Sequence, residues 1–148
     1  MDRITSFTIN HDVLMPGFYI SRKDGDITTY DLRTRRPNKG DYMSNADMHS
    51  VEHMFATYIR NSEIANSVIY FGPMGCQTGF YAMTLGLQPE EFMSILEATL
   101  VDVVNMTEVP AANEVQCGWG QSHSLAGAQA AAQKMLDHRE EWGRIYSH

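Results

Sequence analysis

The spacing of apolar and polar positions divides the chain into strands and helices. The stretches Phe18 to Arg22 and Ile27 to Arg33 read as two strands, joined by the turn signal Lys23-Asp24-Gly25-Asp26. Arg36-Pro37-Asn38-Lys39-Gly40 reads as a loop. A helix is expected to begin near Asp47, capped by Ser44, Asn45 or Asp47, and to run to about Ser62. On that helix Val51, Met54, Phe55 and Tyr58 share the side that would pack on a sheet. Ser67 to Phe71 reads as a strand broken by Gly72-Pro73-Met74-Gly75, and Phe80 to Leu85 as the next strand. Pro89, followed by Glu90 and Glu91, opens a helix to about Met106. A last helix runs from Ser124 or Leu125 through an alanine-rich stretch toward Arg139. There is no repeat, linker or low-complexity tract, and strands and helices do not alternate regularly. The expected fold is α+β: one domain over residues 1–148, with an antiparallel sheet packed by helices.

Composition narrows the range of functions. A chain of 148 residues can bury roughly 70% of its unfolded surface without disulfides. A net charge of -7 repels phosphates, and the basic run Arg33, Arg35, Arg36 and Lys39 is too short to form a nucleic-acid face. The most apolar helical stretch, Ile95 to Met106, carries Glu97, Asp102 and Asn105 and cannot span a bilayer. Met1-Asp2-Arg3 leads into a polar segment rather than an apolar leader core. A cytoplasmic location is expected, with neither nucleic acid nor membrane as partner. The two cysteines, Cys76 and Cys117, then point to metal binding, catalysis or burial rather than to a disulfide.

The chemistry centres on His49-Ser50-Val51-Glu52-His53. In a helix His49, Glu52 and His53 fall within one arc of about 100°, opposite the apolar side. Two imidazoles one turn apart can share a cation, and a carboxylate beside them can act as a base. A third ligand is needed. Cys117 leads, since a thiolate binds strongly, and spacing leaves His123, His11 and Glu114 open. Cys76 lies among Gly72, Gly75 and Gly79, which let the backbone turn and present a thiol closely. His138 and His148, near the C-terminus, are expected to be solvated.

Five segments, in order, resemble the LuxS family. They are Ser6-Phe7-Thr8-Ile9-Asn10-His11; Tyr30-Asp31-Leu32-Arg33 with Arg36-Pro37-Asn38-Lys39; His49 to His53; Pro73-Met74-Gly75-Cys76-Gln77-Thr78-Gly79-Phe80-Tyr81; and Pro110-Ala111-Ala112-Asn113-Glu114 with Gln116-Cys117-Gly118. The resemblance implies a two-layer α/β sandwich that forms a homodimer with active sites at the subunit interface. It implies cleavage of S-ribosylhomocysteine to homocysteine and 4,5-dihydroxy-2,3-pentanedione, the autoinducer-2 precursor. It assigns one divalent metal per subunit to His49, His53 and Cys117, usually Fe(II) in the cell, with Zn or Co as substitutes. Glu52 and Cys76 would transfer protons, and Ser6, His11 and Arg33 would hold the ribose.

The sequence departs from that pattern at two positions. Where the family run reads Asp-x-Ser-Pro-Met-Gly-Cys, this chain has Tyr70, Phe71 and Gly72 before Pro73. A carboxylate and a hydroxyl are missing beside the expected thiol, so a LuxS-like dimer that binds a sugar or thioether without turning it over is the alternative. Gly72 is expected to make room for the Tyr70 ring. Inverted zinc peptidases share the His-x-x-Glu-His order, but they act in much larger chains and use a downstream carboxylate.

Overall fold

A two-residue turn organises the first hairpin. Gly25 takes φ +62°, a left-handed conformation open to glycine without strain. It joins β1 (Gly17–Asp24) to β2 (Ile27–Arg33), which pair antiparallel from Asp24↔Ile27 to Gly17↔Arg33, with a bulge between Ile20 and Arg22. The computed structural model describes residues 1, 2, 4 and 7–145, without the side chains of the last two. On the other side of β2 runs β4 (Gly79–Leu85), and β3 (Val68–Pro73) pairs with β4, both antiparallel. The short β5 (Arg144–Ile145) lies parallel beside β1, giving the order β3-β4-β2-β1-β5. The antiparallel sheet is as expected; β5 carries no sequence signal.

Three helices cover one sheet face. Helix α1 (Asn45–Arg60) starts with a reciprocal cap: Ser44 Oγ accepts the Asp47 N–H, and the Asp47 carboxylate accepts the Ser44 N–H. Helix α2 (Pro89–Asn105) opens on its proline, and α3 (Leu125–Asp137) on Ser124, whose Oγ accepts the Gly127 N–H. All three end one or two residues before the expected positions, where helices fray. None of the helices is long and apolar enough to cross a membrane.

Aromatic rings join the layers. Tyr30 stacks at 4.8 Å on Phe18 and at 4.7 Å on Phe92 of α2. Phe71 stacks at 4.0 Å on Phe55 of α1 and at 5.1 Å on Phe80. Each such pair adds about 0.5–1.5 kcal/mol beyond its area, so α1 and α2 are held at both ends of the sheet.

Two strands run past their expected ends. Strand β1 continues through Lys23 and Asp24 instead of turning after Arg22. The third strand continues through Gly72 and Pro73, which pairs with Phe80. Proline lacks the N–H of a ladder, but β3 is the sheet edge, where that loss is tolerated. The opposite face of the sheet is also not fully open. At its β2 end Asp31 and Arg33 are buried, and Ile9 and Leu14 gather with Tyr19 into a small second core.

Candidate metal centre

Helix α1 presents His49 and His53 one turn apart, away from the buried Val51, Met54 and Phe55. Glu52, half-buried, sits between them. The irregular segment between α2 and α3 comes back over this face and brings Cys117 and His123. Cys117 Sγ lies 3.2 Å from His49 Nε2, and 3.6 Å from both His53 Nε2 and His123 Nε2. All four donor atoms fall within 4.8 Å of one another. Donors about 2.0–2.3 Å from one tetrahedral cation stand roughly 3.3–3.8 Å apart, so this cluster could hold a metal ion.

Backbone oxygens orient two of the rings. His49 Nδ1 donates to the Ser122 carbonyl at 2.9 Å, and His53 Nδ1 to the Pro110 carbonyl at 2.8 Å. A proton held on Nδ1 leaves the lone pair of Nε2 to face the cluster. Burial, then the neighbouring His49 and His53, hold His123 below the ordinary histidine range. It is therefore neutral at pH 7 and carries no charge to repel a cation.

A second cluster gathers at the end of the sheet. Arg33, 2% exposed, pairs with Asp31, 0% exposed, at 2.5 Å. Its other terminal nitrogen donates to Thr78 Oγ1 at 2.7 Å and reaches Cys76 Sγ at 3.8 Å. Thr78 Oγ1 lies 3.0 Å from the same sulfur. Because that oxygen accepts from Arg33, its own proton is free to donate to Cys76. Two donors thus converge on an exposed thiol group. No hydrogen bond or ring contact among the described residues links this group to the histidine cluster.

These distances fit a chain already resembling one metalloenzyme family, and direct comparison decides the family. The profile described as S-Ribosylhomocysteinase (LuxS) matches residues 4–145. The chain belongs to the LuxS family. The S-ribosylhomocysteine lyase of Staphylococcus saprophyticus subsp. saprophyticus is 43% identical over 150 residues, covering 97% of this chain and 94% of its own length. The S-ribosylhomocysteine lyases of Staphylococcus aureus strains Newman and N315 match to the same extent.

Of the residues singled out from the LuxS motifs, His49, His53 and Cys117 meet in one cluster, and Arg33 meets Cys76 in the other. His11 is half-buried, its Nδ1 on the Ile9 carbonyl at 3.0 Å, and stands outside the metal cluster, as does the exposed Glu114. Ser6 lies outside the described residues, as does His148. His138 is half-buried rather than solvated, because its Nδ1 folds back onto the Lys134 carbonyl at 2.9 Å at the end of α3. His123, weighed as a substitute for Cys117, joins the cluster alongside it. Sequence reasoning missed Thr78 and Ser50. Ser50 had one signal, a hydroxyl on the buried side of the His49–His53 turn. Gly72 leaves the space expected of it: a Cβ there would collide with the Tyr70 hydroxyl.

Proposed function

We propose that the chain is a metal-dependent carbon–sulfur lyase that cleaves S-ribosylhomocysteine to homocysteine and 4,5-dihydroxy-2,3-pentanedione. The observation that carries this is the Cys117 sulfur at 3.2 Å from His49 Nε2 and 3.6 Å from His53 Nε2, as ligands of one cation would stand, in a chain whose relatives are S-ribosylhomocysteine lyases. Residues 1–148 are read as one functional unit, placed in the cytoplasm, where the two unpaired cysteines stay reduced.

The reaction explains the residue types. A thioether leaves badly from an unactivated sugar, because nothing stabilises a carbanion beside it. Moving the carbonyl from C1 to C3 of the opened ribose acidifies C4–H, and the sulfur on C5 then departs by β-elimination. A divalent cation held by His49, His53 and Cys117 would supply Lewis-acid stabilisation to the negative charge that develops on the sugar oxygens. Ferrous iron is the cation proposed for the cell, one per subunit, with zinc or cobalt able to replace it. Glu52 and Cys76 move protons on the two sides of the carbon chain. The Arg33 and Thr78 donors on the Cys76 sulfur support that role, since they stabilise negative charge between transfers. Ser6 and His11 hold the ribose, with Arg33 behind the sulfur.

The two clusters complete each other in a homodimer, the metal of one subunit facing Cys76 of its partner. That no hydrogen bond or ring contact joins them among the described residues supports this. So does the outer sheet face, where Tyr70, Tyr81, Met83 and Ile4, beside the polar Arg22 and Asp24, line a groove of about 410 Å³ that a second copy would cover. Closure would also keep water from the carbonyl-shift chemistry. Incubating metal-loaded protein with S-ribosylhomocysteine and titrating released thiol tests the activity. Thiol release that disappears with the metal is expected. Binding without release would favour the non-catalytic dimer.

A further inference from the structure

Three imidazoles face Cys117, yet their outer nitrogens have unlike partners. Those of His49 and His53 meet backbone carbonyls, which only accept. That of His123 meets the Ser50 hydroxyl at 3.0 Å. Ser50 is fully buried on α1, between the two helix histidines. Its Oγ already accepts the Ser124 N–H at 2.8 Å. Among the described residues, His123 Nδ1 is the acceptor recorded for the hydroxyl's own proton. Leaving that proton unpaired away from water would cost about 1–3 kcal/mol. Ser50 therefore donates to His123 Nδ1. A ring that accepts at Nδ1 carries its proton on Nε2, the atom 3.6 Å from Cys117 Sγ.

We infer, taking the cluster as the metal site proposed above, that His123 is an N–H donor to the ligating sulfur rather than a fourth metal ligand, held in that tautomer by Ser50. His49, His53 and Cys117 then supply three donors, and a fourth position stays open, the pattern of catalytic rather than structural sites. The N–H draws negative charge off the sulfur, so a cation there keeps more of its own charge for the sugar oxygens. Ser50 thus sets the character of the site from a buried position, without touching metal or substrate.

The tautomer can be read directly. Full-length protein labelled with ¹⁵N-histidine is examined by ring-nitrogen NMR, metal-free and zinc-loaded. On zinc loading, Nε2 of His49 and His53 should shift as metal-bound nitrogens, while His123 Nε2 keeps its one-bond proton correlation. Zinc uptake with an unprotonated, metal-shifted His123 Nε2 would overturn the inference and leave the metal reading standing. Failure to take up zinc would overturn both. Ser50→Ala should lose the His123 Nε2 proton correlation, in whole or in part, whereas Ser50→Thr, which keeps the hydroxyl, should retain it. An unchanged tautomer in Ser50→Ala would remove Ser50 from the account.

Discussion

The histidine–cysteine cluster and the Cys76–Arg33 cluster hold their chemistry in opposite ways. The first is made of three imidazoles around one sulfur, and backbone carbonyls aim two of its rings. Its donors come from helix α1 and from an irregular segment more than sixty residues later. The second is built on a buried ion pair, Asp31–Arg33, within one strand. Its sulfur is exposed, while the charges that serve it are not. A site that holds a cation benefits from lone pairs already oriented toward it. A group that shuttles protons benefits from a fixed charge at its back, and burial keeps that charge unscreened.

Removing each sulfur breaks the comparison most sharply. Cys117→Ala should lose most bound metal after dialysis, whereas Cys76→Ala should retain it, and both should lose thiol release. Equal metal retention would remove Cys117 from the ligand set. Glu52→Gln should keep its metal and lose a factor of about 10² to 10⁴ in turnover, the usual range for an acid–base group. If that variant is metal-free, Glu52 is a ligand instead.

The charged cluster should be the more fragile in stability. Arg33→Met takes the ion-pair partner away from the buried Asp31, and breaking a buried pair costs about 3–5 kcal/mol. Denaturant unfolding should show this, while Cys76→Ala should change stability little. Similar midpoints for Arg33→Met and the parent protein would contradict the buried-pair reading. The smallest effect is expected at the departure from the family pattern. Gly72→Ser should cost about 1 kcal/mol or less, since Tyr70 is half exposed and its ring can swing aside. In a Tyr70→Asp background that cost should vanish; an equal cost in both would show that the two positions are uncoupled.

Much of the metal cluster was legible because it is local. The Ser44–Asp47 cap and the spacing of His49, Glu52 and His53 place three groups on one helix face before any tertiary contact forms. Cys117 was legible through chemistry and resemblance, since a thiolate is the strongest of the candidate ligands. That His123 joins it, rather than replacing it, depends on how the segment before α3 folds back over α1, and no local rule fixes that. The second cluster was harder to read. Asp31 and Arg33 look like polar positions on a strand's solvent side, yet both are buried, on the side where Tyr19, the neighbour of Asp31, joins Ile9 and Leu14 in a small core. The third strand's passage through Pro73 was hidden for a related reason: proline reads as a break until the strand is known to be an edge.

The central claim is that thiol and metal act together across a subunit interface. It can be tested by mixing Cys76→Ala with Cys117→Ala, dissociating and reassociating the subunits, and measuring thiol release. In a mixed dimer with shared sites, one site combines an intact Cys76 with an intact metal cluster and the other has neither. Random reassortment of two such inactive parents should then restore about one quarter of the parent protein's activity. No recovery, with mixed dimers shown to have formed, would mean that each site is built within a single chain and would contradict the account.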